Sequence, residues 1–429
     1  MKVQLAFDRE GTTVNIPDEL DAQVLRPRFA SGLADEDAAL AAAIASPIGC
    51  PGLTQLARGK RSAAISVCDI TRPAPNKTVL PHVIRALQAG GISTSEITIL
   101  IATGLHREAT AEELEEIVGA DILKQHPVHS HRAKEIDEQV FLGETSTGTQ
   151  AFVDARFVEA DLRITLGFIE PHLMAGFSGG RKLISIGLAG ERTIKRLHSP
   201  LYMRDPKATE GSFPDNPLHR ELLEIAAMAG HHFMVDVALT DTRAIAAVFA
   251  GEPVSAHAQG VEFVRQSTLA SIGQPADAVI TTSGGYPLDL TFYQAVKGLT
   301  AAAHIVRDGG EILLAAACNE GLGGPEFSQL VRESDDSSAL LDALSQRSVR
   351  VDQWQAEKLA MVAQRAKLSF CVPGLSASDR SNLWGPSHTD AQAAVDGMMG
   401  RLQEGARVVV IPEGPYVFSQ LGDHQAPLA

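Results

Sequence analysis

The chain has 429 residues, a length that predicts two or three domains, each large enough for its own core, and its 45% hydrophobic and 21% charged content is ordinary for a soluble globular protein. With 37 basic against 52 acidic side chains the formal net charge is −15, which argues against nucleic acid as a main partner, because phosphate binding needs a basic face. No run of about 18 uncharged apolar residues is present, so no membrane span is expected.

In chain order, strand-like runs alternate with helix-like ones. Residues 63–68 are apolar and lead into Asp69-Ile-Thr-Arg-Pro-Ala-Pro75, which its prolines make a loop. Residues 79–88 have helical spacing and stop at Gly90-Gly91, and 97–102 is the next strand, followed by Thr103-Gly-Leu-His-Arg107. Thr110 with Glu113 three residues on predicts a capped helix to about residue 118. Further strands are expected at 162–168, 232–239, 278–282, 311–316, 368–372 and 407–411. This alternation predicts an α/β fold of two domains, with mainly parallel, helix-flanked sheets and an interdomain cleft. The proline-rich stretch 199–216 reads as a long loop, 271–277 as a linker, and 420–429 as a fraying end. The expected domains are 1–270, with the main chemistry, and 277–429, with further substrate contacts.

The polar residues follow the strands. Asp69, Thr71 and Arg72 follow the first, Thr103 to Arg107 the second, Glu170-Pro-His-Leu-Met-Ala-Gly-Phe-Ser-Gly-Gly-Arg-Lys182 the third, and Ser283-Gly-Gly-Tyr286 the strand that opens the second domain. Ligands of open α/β sheets bind beyond the carboxyl ends of the strands, so four such loops predict one shared site. The 176–183 segment is not a nucleotide P-loop: Arg181 stands where the second glycine belongs, and Leu183 where Ser or Thr would hold magnesium. Each residue also has a bland reading. Asp69 suits a helix cap, and His106 and His172 suit hydrogen-bonded structural positions. His129 with His131, and His231 with His232, read as structural or surface pairs, since no further ligands accompany them.

Taken together these loops resemble the nickel-pincer lactate racemase family. The matching pieces are Asp69-Ile-Thr-Arg-Pro-Ala-Pro75, Thr103-Gly-Leu-His-Arg107, Pro171-His172, Ala175-Gly-Phe-Ser-Gly-Gly-Arg-Lys182, His198, Gly284-Gly-Tyr-Pro-Leu-Asp289 and Tyr293-Gln-Ala-Val-Lys297. Ile186 before Gly187 departs from the pattern, where proline is expected. The resemblance implies a racemase or epimerase acting at C2 of a 2-hydroxy acid by transient hydride transfer, through a 2-keto acid. It implies nickel in a pyridinium-3-thioamide-5-thiocarboxylic acid mononucleotide, the nickel-pincer nucleotide, attached to Lys182, with His198 as the protein's metal ligand. His106 and His172 match the family's acid–base pair.

Arg72 suits the substrate carboxylate through bidentate hydrogen bonds, and Tyr293, Gln294 and Lys297 suit further substrate contacts. The cofactor contacts are placed at Asp69, Thr71, Ser178, Gly179 and Gly180, the last three near its phosphate; Asp69 either touches the cofactor or orients a neighbour. Tyr286, Phe292, Tyr293 and Trp354 either shape the side-chain pocket or pack in the core. Two rival readings are a non-catalytic nucleotide-binding or carrier protein, and a zinc- or magnesium-dependent hydrolase or lyase liganded by His106, His172 and His198. The scattered Cys50, Cys68, Cys318 and Cys371 predict neither a disulfide framework nor a thiolate metal site. With charges too early for a secretory leader, a cytoplasmic protein is expected. Its expected partners are a small hydroxy acid and the enzymes that build the cofactor, with no nucleic acid or membrane; a homo-oligomer is left open.

Overall fold

A computed structural model describes residues 1–27 and 29–422, and the chain divides into two compact units. One comprises Phe29–His198 and Asp205–Ser267; the other takes the N-terminal residues, Ser199–Arg204 and the chain from Thr268 onward. The first residues differ from the expected 1–270 domain because Asp21–Val24 joins the C-terminal sheet, parallel to Arg407–Ile411. Ser199–Arg204 packs with that unit through Arg204, whose guanidinium pairs with Glu357 and donates to Leu341 O at 2.7 Å, and through Lys358 Nζ, which donates to Met203 O at 2.9 Å.

The unit around residues 29–267 is built on a six-stranded sheet in the order Ile245–Gly251, Phe233–Leu239, Leu162–Phe168, Ala63–Cys68, Ile97–Ala102, Val128–Ser130. All neighbours are parallel except Ile245–Gly251, which turns back on Phe233–Leu239 as an antiparallel edge. Ala63–Cys68 is buried at every position, as expected for a parallel strand with helices on both faces. Asn76–Ala89 covers one face, burying Val79, Leu80, Val83, Ile84 and Leu87 at helical spacing. Each such aliphatic side chain contributes about 1.5–3 kcal/mol by leaving water. From Ala63–Cys68 the chain moves outward to Ile97–Ala102; from Leu162–Phe168 it moves the other way, to Phe233–Leu239. These two central strands are therefore the topological switch point, where departing loops diverge and open a crevice.

The second unit has an all-parallel sheet in the order Ser387–His388, Lys367–Cys371, Val306–Ala315, Ala276–Thr282, Arg407–Ile411, Asp21–Val24. Its strands alternate between two cores. Ile280, Leu313, Val408 and Val410 face one side, and Val279, Ile312, Leu314, Val409 and Ile411 the other. Its switch point lies between Ala276–Thr282 and Arg407–Ile411, and the Gly284 loop leaves from there.

Residues 271–277 are not a linker. Leu269–Ile272 is a strand parallel to Phe418–Leu421, and Ala276–Thr282 follows almost at once. Residues 199–216 hold a short helix, Pro200–Met203, within an otherwise irregular path. Of the expected fraying end, Gln420 and Leu421 lie in the Phe418–Leu421 strand, and 423–429 lie outside the described residues. Among the described residues no helix is long and apolar enough to cross a membrane.

Candidate active site

Asp69 leaves the central strand at the switch point with its side chain buried. His106 lies in the turn after Ile97–Ala102, where Thr103 Oγ1 donates to His131 O at 2.5 Å and Gly104 N donates to Gly187 O at 3.0 Å. Asp69 Oδ2 lies 2.7 Å from His106 Nδ1, and Oδ1 accepts from Thr71 Oγ1 at 2.6 Å. Burial pushes the Asp69 carboxyl up. The hydrogen bonds from His106 and Thr71, with the charge of Arg72, outweigh it and hold the group below its ordinary value. An ionised Asp69 keeps hydrogen on His106 Nδ1 and the lone pair on Nε2, the arrangement of a general base. Asp69 thus orients a neighbour, and Thr71 spends its hydroxyl hydrogen on Asp69.

His172 sits in a tight hairpin, Pro171–His172 against Gly176–Phe177. Its Nδ1 accepts from Met174 N at 3.3 Å and Ala175 N at 3.1 Å, which places the hydrogen of a neutral ring on Nε2. The two imidazoles therefore present opposite character at Nε2: an acceptor at His106 and a donor at His172.

The glycine loop is held from inside. Arg181 is 2% exposed, and its guanidinium donates to the carbonyls of Ala175, Phe177, Ser178 and Gly179 at 2.7–3.1 Å. Asp236, from Phe233–Leu239, accepts from Gly180 N at 2.8 Å. A Cβ on Gly179 would lie 2.2 Å from Asp236 Oδ2, and its φ of +83° independently favours glycine. Ser178 N donates to Glu170 O, Ser178 Oγ donates to Phe168 O, and Gly180 N is committed to Asp236. The donors of Ser178 and the Gly180 amide are thus engaged within the protein.

Lys182 begins the short Lys182–Ser185 helix, tied down by Ser66 Oγ, which donates to Leu183 O at 3.1 Å. Burial, then the charge of Arg72, pushes the Lys182 amine down to about 7. A substantial fraction is then the neutral nucleophile at neutral pH, the form that acylation requires. His198 ends the Glu191–Leu197 helix, its Nδ1 2.8 Å from Ile194 O, so a neutral ring carries its lone pair on Nε2. Burial pushes this imidazole down to about 4, keeping it in the ligating form. The residues thus fit a lysine-tethered group with one imidazole ligand. Among the described residues no three His, Cys, Asp or Glu side chains assemble as a metal-binding group, the set His106, His172 and His198 included.

In the second unit Tyr293, Gln294 and Lys297 lie on the Phe292–Ala303 helix. Tyr293 packs edge-on against Phe327 with ring centroids 5.3 Å apart, and its hydroxyl accepts from Trp354 Nε1 at 3.1 Å. Gln294 Oε1 is buried with no hydrogen-bond partner, as suits an atom awaiting a ligand. Phe292 is fully buried core, whereas Tyr286 is exposed beneath the Arg9 guanidinium. Sequence reasoning missed Ser66, Asp236 and the inward use of Arg181; a lone serine inside an apolar central strand is the one signal that was legible. Of the histidine pairs, His131 and His231 are inward and hydrogen-bonded, His131 to Asp154 and Ala189 O and His231 to Thr165.

Residues 7–211 match the model of the lactate racemase N-terminal domain, and 272–418 that of the C-terminal domain. The lactate racemase of Thermoanaerobacterium thermosaccharolyticum is 32% identical over 419 residues, covering 96% of this chain and 97% of that one. The lactate racemase of Lactiplantibacillus plantarum is 33% identical over 418 residues, covering 96% and 98%. The structure of the Thermoanaerobacterium lactate racemase apoprotein superposes with a TM-score of 0.92 at 31% identity, covering 98% of this chain and 100% of that one. A Thermotoga maritima protein at 18% identity and a TM-score of 0.64, covering 86% and 96%, shares the fold alone. The two matched domains, in order and over nearly the full length, show that this chain belongs to the lactate racemase family of isomerases.

Proposed function

We propose that this enzyme inverts C2 of a 2-hydroxy acid, lactate or a related acid, using a nickel-pincer nucleotide attached to Lys182 and ligated by His198. When bound, the nickel nucleotide supplies the acceptor, and then the donor, of the C2 hydride. The protein supplies binding and proton transfer. Arg72 clamps the carboxylate with its planar fork. His106 Nε2, backed by the ionised Asp69, takes the hydroxyl proton as the substrate becomes a planar 2-keto acid. His172 serves the second position of the substrate oxygen, reached when the carbonyl turns its other face. Tyr293, Gln294 and Lys297 are assigned further substrate contacts. The four cysteines are unpaired, which suits a reducing cytoplasm, where cofactor-building enzymes would load the protein.

The observation that carries this reading is the 2.7 Å contact between buried Asp69 and His106, together with a lysine whose amine is depressed to about 7. The test uses cofactor-loaded enzyme with single enantiomers of 2-hydroxy acids in deuterated water. Racemisation with hydrogen retained at C2 is expected. Solvent deuterium at C2 would exclude hydride return and overturn the mechanism.

A further inference from the structure

His131 is 1% exposed at the end of the Val128–Ser130 strand. Its ring lies between two acceptors: Nδ1 is 2.9 Å from Asp154 Oδ2, and Nε2 is 2.9 Å from Ala189 O. A carbonyl oxygen only accepts. So does an ionised Asp154, whose carboxyl burial pushes up but Arg156 and His131 pull down to about 2. A neutral imidazole carries one N–H, so it would leave a lone pair facing an oxygen in a buried site, the costly case for a polar group. The other charged groups here are Arg156 on Asp154, Glu138 on Arg156, and Arg132 on Glu138, with Glu108 and His129 farther out.

The same residues clamp the turn that links Lys182 to His198. Gly187 O accepts from Gly104 N at 3.0 Å, Leu188 O from Asp154 N at 2.9 Å, and Gly190 N donates to Phe152 O at 2.9 Å. Ala189 O is held by His131. On the other side, His131 O accepts from Thr103 Oγ1, in the loop that presents His106. We propose that His131 is a positioning residue with hydrogen on both ring nitrogens, tying the loop of the base to the turn that spaces the cofactor lysine from the metal histidine. This role deepens the function proposed above and rests on it.

Two measurements decide it. In full-length, ¹⁵N-labelled protein without cofactor at neutral pH, the His131 ring, assigned through backbone-to-ring correlations, should show two slowly exchanging N–H signals. A single N–H would overturn the proposal. In cofactor-loaded protein, His131→Asn keeps the Asp154 contact but falls short of Ala189 O. It should retain the mass increment on Lys182 and lose nickel to a chelator about 10–100-fold more readily, as supporting-residue changes do. His131→Gln, which reaches Ala189 O, should recover most of the retention. Unchanged nickel retention in His131→Asn would sink the positioning role. Absence of any Lys182 increment in the unsubstituted enzyme would instead count against the proposed function, while the nitrogen spectrum still decides the state of His131.

Discussion

A carboxylate beside an imidazole reads in sequence as a helix cap and a structural histidine, because Asp69 and His106 stand 37 residues apart. Only their 2.7 Å contact turns them into an oriented base. Replacing His106 with Ala should lower kcat by about 10²–10⁴-fold while nickel and the Lys182 adduct remain. Asp69→Asn should keep the fold and lower kcat by about 10²–10⁴-fold, since the amide neither stabilises the imidazolium nor enforces its tautomer; steady-state kinetics check both. Lys182 is testable without cofactor. With its amine depressed to about 7, carbamylation by cyanate should rise with pH through that value and then level off, read by peptide mass spectrometry. An inflection near the ordinary lysine value of 10.5 would show the amine to be unperturbed. Lys182→Ala should abolish covalent attachment altogether.

At the level of elements, the apolar runs at 63–68, 97–102 and 162–168 are strands as read, and the Thr110 capping box with Glu113 starts its helix. These are local signals: a continuous apolar run and a polar cap need no partner to be recognised. Asp21–Val24 and Leu269–Ile272 are short and weakly patterned, and become strands only because a neighbour offers a ladder. The glycine loop shows the same limit. Its composition points to backbone close to a ligand, whereas the close neighbour is the carboxylate of Asp236. Gly179→Ala should therefore destabilise the protein by about 1–3 kcal/mol and reduce adduct formation at Lys182 by displacing the loop. Thermal unfolding and intact mass would show both effects.

For the whole molecule, acid stability follows from the buried pairs. Asp154 has a folded pKa lowered from 3.8 to about 2. Its contribution is present above the unfolded value and is lost as pH falls from about 4 toward 2, amounting to about 2 kcal/mol. Asp154→Asn should remove that part of the acid transition and lower stability at neutral pH, seen in thermal melts across pH. Sequence by itself determined the α/β class and the central strands of both sheets, because periodicity and caps are properties of neighbouring residues. Tertiary structure alone decided that Asp69 serves His106, that Arg181 and Asp236 face inward, and that Asp21–Val24 joins the sheet of the C-terminal residues. Those choices depend on which distant groups share a low-dielectric interior, where every donor and acceptor must find its partner.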